Sequence, residues 1–376
     1  MKLPPLSLYI HLPWCERKCP YCDFNSHETV HIPEQAYVRA LLTDLRRDKH
    51  LAADREVQTL FIGGGTPSLF SAEAISSIVE GVARELNLSA QLEATMEANP
   101  GSAEADKFLG FRQAGINRLS LGIQSFQDDK LQALGRVHNA EQARAAVEHA
   151  RAAGFDSFNL DLMHGLPGQS EADALGDLQT AIDFQPPHLS WYQLTIEPNT
   201  VFNKRPPTLP VEDLLADIQD AGEQLLADEG YGQYEVSAYS RPEMACRHNL
   251  NYWSFGDYLA IGAGAHGKIT AENGRILRYA KTRTPQDYLG GDRYTARSWE
   301  LKEAEVISEF MMFALRLNAG FSLAWFEEVT GIDARRLQPA MGSLLEQKLL
   351  EQSGRNIRAT ALGRRFLDTI IAEFLP

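Results

Sequence analysis

Three of the four cysteines in this chain fall within eight residues, in the run Cys15-Glu16-Arg17-Lys18-Cys19-Pro20-Tyr21-Cys22. The spacing C-x3-C-x2-C offers three thiolates together, with no fourth cysteine nearby. Two centres use such a set. A structural zinc site closes with four nitrogen or sulfur ligands, and His11 or His27 could complete one. A cubane [4Fe–4S] cluster held by only three thiolates keeps one iron free for another ligand. Further polar or glycine-rich positions follow at intervals: Gly63-Gly64-Gly65-Thr66-Pro67, Glu97 and Asn99, Gln124, Arg136, and Asp161. Zinc has no need of a glycine loop or of a ring of polar side chains, so these neighbours favour the cluster.

These residues recur because the elements that carry them recur. Short β-rich apolar runs at Leu6 to Leu12, Thr59 to Ile62, Leu92 to Met96, Arg118 to Gly122, Ser157 to Leu162 and His188 to Leu194 alternate with helical periodicity, as in Glu34 to Lys49 and Ser71 to Leu86. That rhythm predicts parallel strands with crossover helices, an α/β fold built as a partial or complete parallel (β/α) barrel. The chemical residues follow the strands, and in such barrels the strand C-termini form the catalytic mouth. A polar, turn-rich stretch from Thr282 to Ser298 precedes a module that begins near Glu300. Three helical segments there, two short extended pieces around Leu349 and Ile357, and a last helix from Ala361 predict a small winged-helix-like C-terminal domain. The expected division is 1–200 for the barrel core, 201–299 for a connecting region, and 300–376 for the C-terminal domain.

The cysteine triad with Tyr21, followed by the Gly-Gly-Gly-Thr-Pro loop after the next strand, resembles the radical S-adenosylmethionine proteins of the coproporphyrinogen-dehydrogenase group. The resemblance covers about Leu6 to Leu194. It implies that Cys15, Cys19 and Cys22 hold a [4Fe–4S] cluster whose open iron chelates the amino and carboxylate groups of S-adenosylmethionine. An electron passed through the cluster then yields a 5′-deoxyadenosyl radical, so the cofactor carries the hard chemistry. By the same resemblance, Tyr9 and Tyr21 are cosubstrate-contacting aromatics. Gly64, Gly65 and Thr66 approach its methionine end, Glu97 and Gln124 hydrogen-bond to it, Arg136 forks onto a carboxylate, and Asp161 takes the ribose hydroxyls.

Two branches of that group do different things. One is the oxygen-independent coproporphyrinogen III dehydrogenase, a radical enzyme that decarboxylates propionates; the other is a heme chaperone. The dehydrogenase branch carries a further cysteine two residues after the third ligand, where this chain has Phe24, and a longer N-terminal extension than the five residues before the first strand here. The run His248-Asn249-Leu250-Asn251-Tyr252-Trp253 resembles the H-N-x-x-Y-W segment of the chaperone branch. It implies heme as a further cofactor, with His248 as the axial ligand and Tyr252 and Trp253 packing on the porphyrin. The same residues also suit a core histidine beside packing aromatics. The lone Cys246 reads as a small buried hydrophobe, and without C-x-x-C-H there is no covalent heme attachment. The segment Tyr258 to Gly267 reads as a small, glycine-rich cover for the cavity or a cosubstrate contact.

The branch assignment implies heme and client hemoproteins as partners, an electron donor wherever S-adenosylmethionine is cleaved, and a C-terminal module that docks clients or a second copy of the chain. A formal net charge of −14 argues against nucleic acid as a main ligand. Arg335, Arg336, Arg355, Arg358, Arg364 and Arg365 keep duplex binding by the C-terminal module as a minor alternative. Lacking both a spanning apolar run and a signal-peptide pattern, the sequence reads as cytoplasmic.

Overall fold

The computed structural model describes residues 2–101 and 107–376. β1 (Leu6–Leu12) is followed by a short parallel pair, β2 (Trp14–Cys15) and β3 (His27–Glu28), which brackets the cysteine loop. β4 (Val57–Gly64), β5 (Leu88–Ala98), β6 (Arg118–Gln124), β7 (Ser157–His164) and β8 (His188–Gln193) then join β1 in six parallel strands laid in chain order. β9 (Gly232–Glu235) and β10 (Ala238–Ser240) continue antiparallel beyond β8. On the other side β11 (Asp257–Ile261) pairs parallel with β1, and β12 (His266–Thr270), β13 (Ile276–Lys281) and β14 (Thr295–Glu300) follow antiparallel. The sheet runs β14-β13-β12-β11-β1-β4-β5-β6-β7-β8-β10-β9, and its ends do not pair among the described residues. The barrel is therefore open.

All six expected strands form, because their apolar positions alternate across the pleat. On β1, Leu6, Leu8, Ile10 and Leu12 join the main core with Tyr37, Leu41, Ile75 and Ile78 of the crossover helices. Tyr9 and His11, on the alternate positions, turn to the inside of the barrel and line a cavity. The crossover helices start at built-in caps. Ser71 accepts from the Ala74 N–H at 3.2 Å, while both carboxylate oxygens of Glu34 hold Ser71 itself; Asn139 and Ser170 open two further helices with capping boxes.

Two expectations need correction. Tyr258-Leu259-Ala260-Ile261 is not a cover segment but most of β11, buried at every position, the pattern of a parallel strand covered on both faces. Within Thr282 to Ser298 lie a helix, Pro285–Gly290, capped by Thr284, and the start of β14. β14 is a sheet edge whose positions are half-exposed or exposed, so its sequence lacks an apolar face.

Beyond Leu301 a second core gathers Val306, Phe310, Phe326, Leu337, Met341 and Leu344 together with Phe255 and Ile276 of the preceding region. Helices Glu303–Ala314, Leu323–Thr330 and Gln338–Glu346 pack with a small sheet of β15 (Phe321–Ser322), β16 (Leu350–Ser353) and β17 (Asn356–Ala359), ordered β15-β17-β16. Three helices and a wing give the expected winged-helix-like arrangement. Five of its six candidate arginines are ion-paired: Arg335 with Asp333, Arg336 with Glu303, Arg355 with Glu327, Arg358 with Glu351 and Arg365 with Asp220. Each pairing lowers the positive charge open to a phosphate backbone. No helix among the described residues is long and apolar enough to cross a membrane.

Candidate functional site

The cysteine loop is folded back on itself. The His27 N–H donates to the Pro13 carbonyl at 2.7 Å, the Thr29 N–H to Cys15 at 3.1 Å, and the Lys18 ammonium closes the turn on the Phe24 carbonyl at 2.9 Å. The glycine loop after β4 zips against its base: Gly65 N–H donates to Leu12 at 2.8 Å and Thr66 N–H to Trp14 at 2.7 Å. That approach requires glycine. A Cβ on Gly65 would lie 2.4 Å from the Trp14 carbonyl oxygen, and one on Gly64, whose φ is +120°, would lie 2.6 Å from the His11 ring.

Cys15, Cys19 and Cys22 are free thiols that line one cavity of about 390 Å³. The Thr66 hydroxyl lies 3.5 Å from the Cys15 sulfur and the Arg136 guanidinium 3.6 Å from that of Cys19. Burial pushes the Cys15 and Cys22 thiols up. Among the described residues no three His, Cys, Asp or Glu side chains converge as a single ion demands. Both His11 nitrogens are engaged, Nδ1 with the Tyr9 hydroxyl at 2.9 Å and Nε2 with the Asn25 carbonyl at 2.9 Å. A zinc site closed by His11 is therefore excluded. Three thiols spread around a cavity suit a larger cluster, which would occupy their common side and supply an iron without a protein thiolate.

The same cavity brings together Tyr21, Gly64, Gly65, Thr66, Glu97, Gln124, Arg136 and Asp161. Glu97 accepts from the Gly64 N–H at 3.0 Å. Burial, relieved by that bond and reinforced by Asp161, pushes its carboxyl up to about 8. Asp161 is raised by burial as well, against hydrogen bonds from Ser120 and Asn159, each at 2.8 Å. Gln124, at the end of β6, holds φ at +68°, a left-handed backbone that non-glycine residues seldom adopt. Arg136 donates to Asn99 at 2.7 Å and the Gly122 carbonyl at 2.8 Å, and its buried Nε has no partner. Two carboxyls raised by burial and one guanidinium with an unused donor match a ligand that carries both a positive charge and a carboxylate.

Tyr9 departs from this set. It lines a second, larger cavity of about 770 Å³, with Tyr252, Tyr258 and His266, and not the cysteine cavity. Its position one pleat below His11 on β1 gives it Phe61 as a stacking partner and places it beneath the cluster loop. Asp23, Phe24, Gly64 and Glu97 line both cavities, so Phe24, 59% exposed, stands on the ridge between them.

The three heme candidates do not share one cavity, although the His248 and Tyr252 rings meet edge to face at 4.8 Å. Helix Arg247–Trp253 packs under the start of β1 and β4, at the opposite end of these strands from the cysteines. There His248 is 1% exposed, its Nδ1 2.7 Å from the Thr59 hydroxyl and its ring stacked on Phe61. Burial, then Arg118, lowers its pKa to about 3, and Nε2 is buried without a partner. Tyr252 opens into the larger cavity, whereas Trp253 lines a third one and lies under Arg316. Cys246 is buried, as expected, with Glu93 3.6 Å from its sulfur.

Sequence reasoning missed Tyr192 and Gln193 at the end of β8 and Thr195 and Glu197 just beyond it, which complete the cysteine cavity. The signal was available: polar residues after a strand, the pattern already used at β4 to β7. It also missed Asn25, which clips the cluster loop to the far side of the sheet through the Ala263 and Arg283 carbonyls at 3.0 and 2.9 Å. Nothing in the sequence marks that contact.

The profile of the Radical SAM superfamily matches residues 9–181, and that of the HemN C-terminal domain matches residues 301–366. Over its full length the chain is 50% identical to heme chaperone HemW of Escherichia coli, covering 99% of that protein. It is 34% identical to heme chaperone HemW of Bacillus subtilis, with 98% of this chain and 99% of that one aligned. The mouse mitochondrial radical S-adenosyl methionine domain-containing protein 1 is 35% identical over 98% of this chain and 87% of its own length. Among solved structures, coproporphyrinogen III oxidase (HemN) from Escherichia coli superposes with a TM-score of 0.84 at 24% identity, covering 99% of this chain and 90% of that one, a likeness of fold. With whole-length identity of this order and a matching radical SAM core, the chain belongs to the HemW family of the radical SAM superfamily.

Proposed function

We propose that this protein is a heme chaperone that holds a [4Fe–4S] cluster, S-adenosylmethionine and heme, and delivers heme to client hemoproteins. The observation that carries the reading is the 50% identity to a heme chaperone along the entire chain. Local chemistry agrees with it. Phe24 stands where the dehydrogenase branch has a further cysteine, and it separates the cysteine cavity from the larger one.

When bound, the cluster supplies an iron at which the amino and carboxylate groups of S-adenosylmethionine are held. The chain's own residues do the positioning. Gly64 and Gly65 let the backbone come close, Glu97 and Asp161 offer carboxyls to the cosubstrate's positive charge and its hydroxyls, and Arg136 braces Cys19 while facing the same cavity. Tyr21 and Gln124 complete the wall. We place the protein in the cytoplasm, with the C-terminal module as the docking element for clients or for a second copy of the chain.

Anaerobic incubation of the cluster-loaded protein with S-adenosylmethionine, a low-potential reductant and coproporphyrinogen III separates this reading from the dehydrogenase. A chaperone leaves the propionates intact and passes bound heme to an apo-hemoprotein. Multiple turnovers of vinyl-group formation would overturn it.

A further inference from the structure

The larger cavity has an unusual lining for a chain of net charge −14. Tyr9, Tyr252 and Tyr258 form its aromatic wall. Arg283 and Arg297 stand at its exposed rim. Neither is ion-paired to a carboxylate among the described residues. Arg283 reaches only the Asn25 side-chain oxygen at 3.3 Å, and Arg297 lies 4.4 Å from the Trp299 ring centroid. In the same cavity, His266 at the start of β12 is exposed, and neither ring nitrogen has a hydrogen-bond partner among the described residues. Partial burial, then Arg297 and Arg278, lower its pKa, which keeps the imidazole neutral and able to bind a metal ion.

On the basis of the heme reading above, we propose that the larger cavity is where heme is loaded, with its propionates on Arg283 and Arg297 and its iron facing His266. A volume of about 770 Å³ lies within the usual range of roughly 300 to 1,000 Å³ for small-molecule and cofactor sites. Tyrosine rings offer faces for a flat macrocycle, and guanidiniums are the donors best suited to carboxylates. The site differs from His248, which lies closed under the barrel with Thr59 and Phe61 against its ring. It also shares Phe24, Gly64 and Glu97 with the cysteine cavity, so heme here would border the cosubstrate.

Hemin titration of the full-length, cluster-loaded protein tests the assignment, with iron and sulfide content checking that each variant retains its cluster. The wild type should give a saturable Soret band and bind hemin dimethyl ester more weakly. Replacing both arginines, Arg283→Ala with Arg297→Ala, should weaken hemin binding by at least about tenfold and abolish the preference over the ester. His266→Ala should shift the Soret and electron paramagnetic resonance signatures while leaving the affinity for iron-free protoporphyrin IX unchanged. If these variants titrate like the wild type while His248→Ala loses the band, the cavity is not the site and the heme reading stands. A wild type with no saturable band overturns the heme reading itself.

Discussion

Glu97 is an acid held back from ionising. Burial is the largest cause, Asp161 adds to it, and only the Gly64 N–H opposes. A folded pKa of about 8 exceeds the ordinary glutamate value, so the folded state binds this proton more tightly than the unfolded chain does. The stability it contributes is present at low pH and is lost as pH rises through about 8. In the cosubstrate-free protein, Glu97→Gln should therefore raise the melting temperature relative to wild type, increasingly from pH 5 to 8 and level above that. Asp161 and Tyr9 are electrostatically linked to Glu97, so the difference between the two melting curves reports Glu97 together with its coupling to them. Adding S-adenosylmethionine should reverse the sign, because its positive charge rewards the carboxylate that glutamine lacks. At Gly65 the expectation is steric. Gly65→Ala puts a Cβ 2.4 Å from a main-chain oxygen and should cost roughly 1–3 kcal/mol, read by denaturant melts, with a lower yield of cluster per chain. Motif and spacing made Cys15, Cys19, Cys22 and the glycine loop legible from sequence. Tyr9 lines the neighbouring cavity beside the shared Gly64 and Glu97, because spacing from a cysteine says nothing about depth along a strand.

The elements that position these residues depend on a few buried contacts between distant segments. Lys281 on β13 reaches Asp44 at 2.5 Å and Asp48 at 2.6 Å on the first helix, with its side chain fully buried. Lys281→Met strands both carboxylates and should destabilise the protein by about 3–5 kcal/mol, measurable by denaturant unfolding. Helix Arg247–Trp253 is another such element. His248→Ala removes a ring packed between Phe61 and Tyr252 and leaves the Thr59 hydroxyl only its bond to Ser7, so it should cost about 1–3 kcal/mol even without heme. That loss is why a weakened Soret band in His248→Ala cannot by itself identify an iron ligand. The six parallel strands could be read from short β-rich apolar runs between helical stretches. β11 could not, because its glycine-rich exit looks like a loop.

At the scale of the whole molecule, an open barrel carries two cavities along its inner face, and a second core ties the winged-helix-like module to the sheet through Phe255 and Ile276. The triad and the strand order made the cluster cavity legible in the sequence. The larger cavity was hidden, since Arg283, Arg297 and His266 come from segments that read as linker or cover. Joint loading of cluster and heme is the central claim, and anaerobic iron and sulfide analysis of one preparation, with and without hemin, tests it most directly. A chaperone of this design should hold about four non-heme irons and four sulfides per chain in both samples, plus one heme iron after hemin addition. Cluster iron lost when hemin enters, or heme iron absent at saturation, would contradict it.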